Sequence, residues 1–148
     1  MTGHRIVDYI ESKVLELKYK GLSPFFYHGD KAEQNSVTKA GGALVFLDHA
    51  IISEPILTAS GNVNDNFTLV FFFGLLSRLD FTMKQHNECI GPMRGLISRF
   101  QNILYKDTEN IQTLRFSSTL DMKNVFDDNY TGAAFTVQIT LYDNTSAC

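Results

Sequence analysis

Apolar and polar residues alternate with a period of two through the carboxyl-terminal third of the chain. Leu114, Phe116, Ser118, Leu120 and Met122 are interleaved with Thr113, Arg115, Ser117, Thr119, Asp121 and Lys123. A second run sets Ala133, Phe135, Val137, Ile139 and Leu141 against Thr136, Gln138, Thr140 and Tyr142. Such alternation predicts two strands, each with one row of side chains on a core and the other facing water or a neighbouring subunit. Between the runs, Asp127-Asp128-Asn129-Tyr130-Thr131-Gly132 is rich in turn formers. Leu114 to Asp143 therefore reads as one long β-hairpin.

The period is helical near the amino terminus. Ile6, Tyr9, Ile10, Val14 and Leu17 fall on one side of a helical wheel, with Asp8, Glu11, Lys13, Glu16 and Lys18 elsewhere. Thr2 is placed to cap this helix and Gly21 to stop it. Pro24 to His28 reads as a short strand with proline at its first position, where no ladder donor is needed. Asp30 to Lys39 is polar and precedes Gly41-Gly42, which predicts a loop. Ala43 to Leu47 is a strand signal running toward Ile52, interrupted by Glu54-Pro55, and Ser60 to Asn66 is a second turn region. Phe67 to Phe81 is the strongest strand. Phe67, Leu69, Phe71, Phe73, Leu75, Leu79 and Phe81 are apolar, and Val70, Phe72 and Leu76 make its other face partly apolar too. A strand with two apolar faces belongs in the centre of a sheet or at a subunit interface. Cys89, Ile90, Met93, Leu96, Ile97, Phe100, Ile103 and Leu104 then define a second helix, whose start is obscured by Gly91-Pro92.

The order is α-β-β-β-α-β-β. It predicts an α+β fold: an antiparallel sheet, two helices packed on one face, and the long carboxyl-terminal hairpin. A length of 148 residues suits one domain spanning 1–148.

Charge adds little. A net charge of −3 without runs of one sign leaves no nucleic-acid footprint. Twelve Phe and six Tyr, concentrated in the β-like segments, fit half-buried pleated surfaces. Cys89 and Cys148 are too few for a disulfide framework, so a reducing cytoplasm is the expected compartment. The start of the chain lacks the apolar core of a signal peptide, and the run from Leu69 to Leu76 is too short to span a bilayer as a helix. No membrane is expected. Asn66-Phe67-Thr68, Asn129-Tyr130-Thr131 and Asn144-Thr145-Ser146 match the glycosylation pattern, read here as chance within Asn-rich segments.

No catalytic signature competes with this layout. His28-Gly29-Asp30 and Asp48-His49 place imidazoles beside carboxylates, but neighbours in a strand point to opposite faces, so Asp48 and His49 are not expected to converge. His4 and His86 stand apart. Cys89 lies on the apolar stripe of the second helix and reads as a structural thiol rather than a nucleophile. Asp127-Asp128-Asn129 lacks the spacing and terminal Glu of a calcium loop. Gly41-Gly42 lacks the Lys-Ser/Thr of a phosphate cradle. No catalytic, cofactor or metal residue is expected, and the chain is read as no enzyme.

With these elements laid out, the chain resembles phage neck and tail-completion proteins, small α+β proteins similar to tail terminators. The residues carrying the likeness are Phe126-Asp127-Asp128-Asn129-Tyr130-Thr131-Gly132-Ala133-Ala134-Phe135-Thr136-Val137-Gln138-Ile139-Thr140-Leu141 and the terminal Cys148. That segment looks like structural proteins of phages infecting Bacteroidetes-type hosts. The motif covers about the last quarter of the chain, while the layout of elements covers all of it. The resemblance implies a virion protein, made in the host cytoplasm and located at the neck or tail. It implies a homo-oligomeric head-to-tail ring, on the order of six or twelve copies, between portal, connector or tail proteins, with DNA passing through its channel without sequence-specific binding. Phe71, Phe72, Phe73, Asn129, Tyr130, Thr136, Gln138 and Thr140 are the candidate interface residues. The alternatives are a small cytoplasmic binding module, with the Phe-rich β surface forming a ligand groove, and an enzyme using His28, His49, His86 or Cys89.

Overall fold

The computed structural model describes residues 2–19, 21–30, 42–61, 63–126 and 128–142. Most of the loop expected over 30–39, Gly41, Asp127 and the terminal Cys148 lie outside them. The elements are α1 (Arg5–Val14), β1 (Ser23–Gly29), β2 (Gly42–Asp48), β3 (Ile52–Leu57), β4 (Val63–Leu76), α2 (Met83–Lys106), β5 (Ile111–Phe116), β6 (Leu120–Val125) and β7 (Tyr130–Leu141). The strands form one mixed sheet in the order β1-β2-β4-β7-β5, with β3 also on β4 and β6 also on β7. Every pair is antiparallel except β1–β2.

The fold is α+β with a mostly antiparallel sheet, but two of the expected strands are each divided. The run from Ala43 toward Ile52 breaks after Asp48, and β3 follows along the same edge of β4. Pro55 lies inside β3 rather than ending it, because an edge strand tolerates a missing ladder donor. The parallel β1–β2 pair has no counterpart in the expected all-antiparallel sheet. A parallel neighbour needs a crossover connection, and residues 30–41 join the two strands. β4 begins at Val63, inside the expected turn, and ends at Leu76; Leu79 beyond it is exposed.

Helix boundaries also differ. α1 ends at Val14 rather than near Gly21, although Leu17 is still buried. Its N-cap is His4, with no side-chain cap bond. Asp8 instead reaches back to accept from the Thr2 backbone N–H at 2.9 Å, the Thr2 hydroxyl at 2.9 Å and the Gly3 N–H at 3.0 Å. α2 starts well before Cys89. The Thr82 hydroxyl accepts from the Gln85 N–H and the Gln85 side chain accepts from the Thr82 N–H, a reciprocal cap on two orphan donors. The helix continues through Pro92, whose ring forgoes one backbone bond.

Both helices cover the same face of the sheet. Ile6, Val7, Ile10 and Val14 of α1 and Met93, Leu96, Ile97, Phe100 and Leu104 of α2 share one buried cluster with the odd-numbered residues of β2, β4 and β7. At its centre Phe71 stacks on Phe135 at 5.3 Å and meets Phe100 edge-on at 5.3 Å. Ala133, Phe135, Val137, Ile139 and Leu141 form the inward row of β7, in the register the alternation predicts.

The first arm of the hairpin departs from its expected row. Phe116 faces Val137 and Leu120 faces Ala134. From 116 to 120 the chain advances four residues while its partner retreats three, from 137 to 134, so one residue is extra. An extra residue exchanges the two faces. Leu114 and Phe116 consequently pack with the helix-covered core, whereas Met122 packs with a second cluster on the opposite face. Asp121 turns to the helix side, where its carboxylate accepts from Arg94 of α2 at 2.6 Å.

Candidate assembly surface

The face opposite the described helices is built from the even-numbered residues of β2, β3, β4 and β7 with Thr113 and Arg115 of β5. It has two unlike halves. One is aromatic: Leu44, Phe46, Phe72 and Tyr130 are buried there beneath Phe126 and Met122. Phe126 meets Phe46 edge-on at 5.0 Å and Phe72 at 5.7 Å. Its φ of 65° is a left-handed conformation that a bulky residue rarely adopts. The tip of the β6–β7 turn is thus held in an unfavourable backbone state by the burial of its ring. Beside it, Phe46, Asp48, Val70, Phe72, Met122, Val125, Phe126 and Ala134 line a cavity of about 160 Å³.

The other half is polar. Successive rows across the sheet read Glu54–Asn66–Thr140–Thr113 and Ile52–Thr68–Gln138–Arg115, with Val70 opposite Thr136 next along. The Thr113 hydroxyl donates to Thr140 Oγ1 at 2.8 Å, and the Thr140 hydroxyl donates to Asn66 Oδ1 at 3.0 Å. One row end is tied similarly: Asn64 Nδ2 donates to Gln112 Oε1 at 2.8 Å. Next to the strand junction, Arg115, Phe116, Ser117, Ser118, Thr136 and Gln138 line an open depression of about 470 Å³. Ser117 is already engaged there, its Oγ accepting from the Thr136 N–H at 2.8 Å and donating to the Ser118 carbonyl at 3.2 Å.

The candidate interface residues separate under this geometry. Phe71 and Phe73 point to the helices and are fully buried; Phe72 points the other way and is buried under Phe126. Tyr130 is fully buried in the aromatic half. Asn129, with φ 59°, is a turn residue whose carbonyl accepts from both the Ser77 N–H and the Ser77 hydroxyl at 2.7 Å. Thr140, expected on an outward row, is only 1% exposed because it sits between Thr113 and Asn66. Gln138 is exposed and Thr136 is half-buried, so these two present surface.

The histidines and the thiol are scattered. His28 Nδ1 bonds the Leu47 carbonyl at 3.1 Å. Asp48 and His49 do converge, at 3.1 Å, contrary to the strand argument; β2 ends at Asp48, so His49 is free to turn back. Burial and the neighbouring Glu88 push the Cys89 thiol above its ordinary pKa, which disfavours the thiolate. Among the described residues no three His, Cys, Asp or Glu side chains gather as a metal site would require. No described helix is long and apolar enough to cross a membrane.

Two polar clusters escaped the sequence reading. His86 is buried, its Nδ1 3.0 Å from Thr131 Oγ1, which in turn is 2.8 Å from Ser77 Oγ. This chain pins the end of β4 and the start of β7 to the first turns of α2. The signal was present: His86 continues the buried stripe of α2 four residues ahead of Ile90. The second cluster joins α1 to the end of α2. Asp107 accepts from the Tyr9 hydroxyl at 2.5 Å and from Asn110 at 3.0 Å, and pairs with Lys13 at 3.1 Å. Burial opposes its charge, but the hydrogen bonds from Tyr9, Asn110 and Lys13 prevail and hold the carboxyl below its ordinary value. Desolvation and the same carboxylate push the Tyr9 phenol well up.

No protein-family model matches the chain, and comparison with characterised proteins finds no match.

Proposed function

We propose that this chain is a non-enzymatic virion subunit that assembles as a ring at the phage neck, in the connector or tail-terminator position. The ring would stand between portal, connector or tail proteins and pass DNA through its channel. One observation carries the reading: among the described residues helices cover one face of the sheet alone, and half of the other is an open platform of hydroxyl and amide side chains beside the wholly exposed β3. The resemblance of the β7 segment to neck proteins supports the same assignment. A platform carrying Thr136, Gln138, Thr68 and Asn66 with few charges suits a surface that meets other subunits or passing DNA without gripping it. The mechanism is assembly alone, with subunits joined by heterologous contacts that close around an axis. Protein mass spectrometry of purified virions, together with the mass of the isolated protein, tests the reading. Its presence in particles is expected; a strict monomer absent from particles would overturn it.

The aromatic half favours a second reading, a small binding module. Its cavity of about 160 Å³ is lined mainly by apolar side chains and suits one small hydrophobic group. A stoichiometric apolar ligand retained through purification by a monomeric protein would favour this alternative.

A further inference from the structure

Among strand residues on the helix-free face, three carry charge: Asp48, Glu54 and Arg115. Asp48 pairs with His49. Glu54 and Arg115 make no ion pair among the described residues, and both are exposed. They stand at opposite edges, since β4 and β7 lie between β3 and β5. Three strand spacings put the two backbones about 14 Å apart, so one chain cannot pair them internally.

Their surroundings are complementary. Glu54 projects from a strand exposed along its whole length, and Ile52 and Ile56 flank it on the same face at 60% and 43% exposure. Arg115 borders the depression of about 470 Å³, where the Gln138 amide and the Ser118 hydroxyl add donors. Leu120, 66% exposed, lies on the same face just beyond the extra residue. A carboxylate entering the depression would meet a guanidinium fork able to bind it bidentately, while the flanking isoleucines would cover Leu120. Pro55 removes one ladder donor from β3, which favours side-chain docking over addition of a strand.

We propose that β3 of one copy docks at the β5–β6 junction of the next, with Glu54 seated on Arg115. The inference rests on the ring reading and names its subunit contact. Different patches meet, so the contact is heterologous and generates a ring when its rotation closes.

Sedimentation of the full-length protein over a concentration series, up to roughly 1 mM, tests this with Glu54→Arg, Arg115→Glu and the double exchange. Both sites are exposed, so unchanged circular dichroism is expected for all three. Wild type should self-associate, each single reversal should weaken association by at least about tenfold, and the double exchange should restore most of it. Association unaffected by the reversals, or not restored by the double exchange, overturns this contact and leaves the ring reading standing. A wild type that stays monomeric throughout also overturns the contact; absence from particles is the separate result that overturns the ring reading.

Discussion

The two faces of this sheet use the same strands to opposite ends. On the helix-covered face, consecutive strands bring phenylalanines into one packed layer, and α1 and α2 seal it. On the other face no helix of the described residues arrives. Half is sealed locally by Phe126 and Met122, and the polar half stays open, its Thr and Asn side chains bonded to one another. The difference teaches where to look for function. A sealed aromatic layer explains stability, whereas an open half-sheet of polar rows adds cross-strand hydrogen bonds but leaves a surface that folding alone does not use.

Variants can break or sharpen that contrast. The largest effect should come from Gly132→Ala, in the central β4–β7 pair that both faces share. A methyl there would collide with the Phe73 carbonyl, and Gly132 itself faces Gly74. Loss of more than about 4 kcal/mol is expected, enough to abolish cooperative thermal unfolding followed by circular dichroism. A variant melting within a few degrees of wild type would show that the two strands are not so close.

Next is a matched pair of truncations. Phe71→Ala opens the sealed layer and should cost about 3–5 kcal/mol. Phe126→Ala removes a ring that is only half-buried and leaves the left-handed backbone unrelieved, so about 1–3 kcal/mol is expected in denaturant titration. If Phe126→Ala proved the costlier, the helix-free face would be the principal core and the contrast would be inverted.

A smaller effect, on the order of 1 kcal/mol, is expected for Asp107→Asn, which weakens the tie between α1 and α2. Because its folded carboxyl titrates below the ordinary value, the charge stabilises fully above about pH 4 and that contribution fades as pH falls further. The gap in melting temperature between variant and wild type should therefore be widest near neutrality and narrow in acid. A gap independent of pH would remove Asp107 as the cause. The smallest effect belongs to Gln138→Ala, on the open platform. Monomer stability should change by less than about 0.5 kcal/mol, while incorporation into particles falls. Unimpaired incorporation would place the working surface elsewhere.

Legibility in the sequence followed how local each determinant is. The inward row of β7 and the buried stripe of α2 were readable because burial imposes a strict period on adjacent residues. The capping pair Thr82 and Gln85 marks the helix start in the sequence, whereas Pro92, ten residues on, carries the conflicting signal of a helix beginning there. β3 was hidden because every residue in it is exposed, so burial left no pattern, and Pro55 argued against a strand. The parallel β1–β2 pairing depends on the path of the chain between them, which no periodicity records. Phe71 and Phe73 stand out in the sequence as interface candidates because they are apolar, but which surface they meet is decided by helices far from them in the chain. The open platform was visible only as Thr136, Gln138 and Thr140; its other members come from β4 and β5, and register alone unites them.

The extra residue between Phe116 and Leu120 makes the genetics of this segment lopsided. Substitutions at Thr119 alter a half-exposed side chain and should be borne easily, whereas Ser117 is tied to the Thr136 N–H and Ser118 lines the depression beside Arg115. Deleting any one of the three would rotate everything downstream by one step, driving Asp121 off Arg94 and turning Met122 toward the helices. Length is what this stretch transmits above all, so among natural variants its spacing should hardly ever change, whatever happens at Thr119.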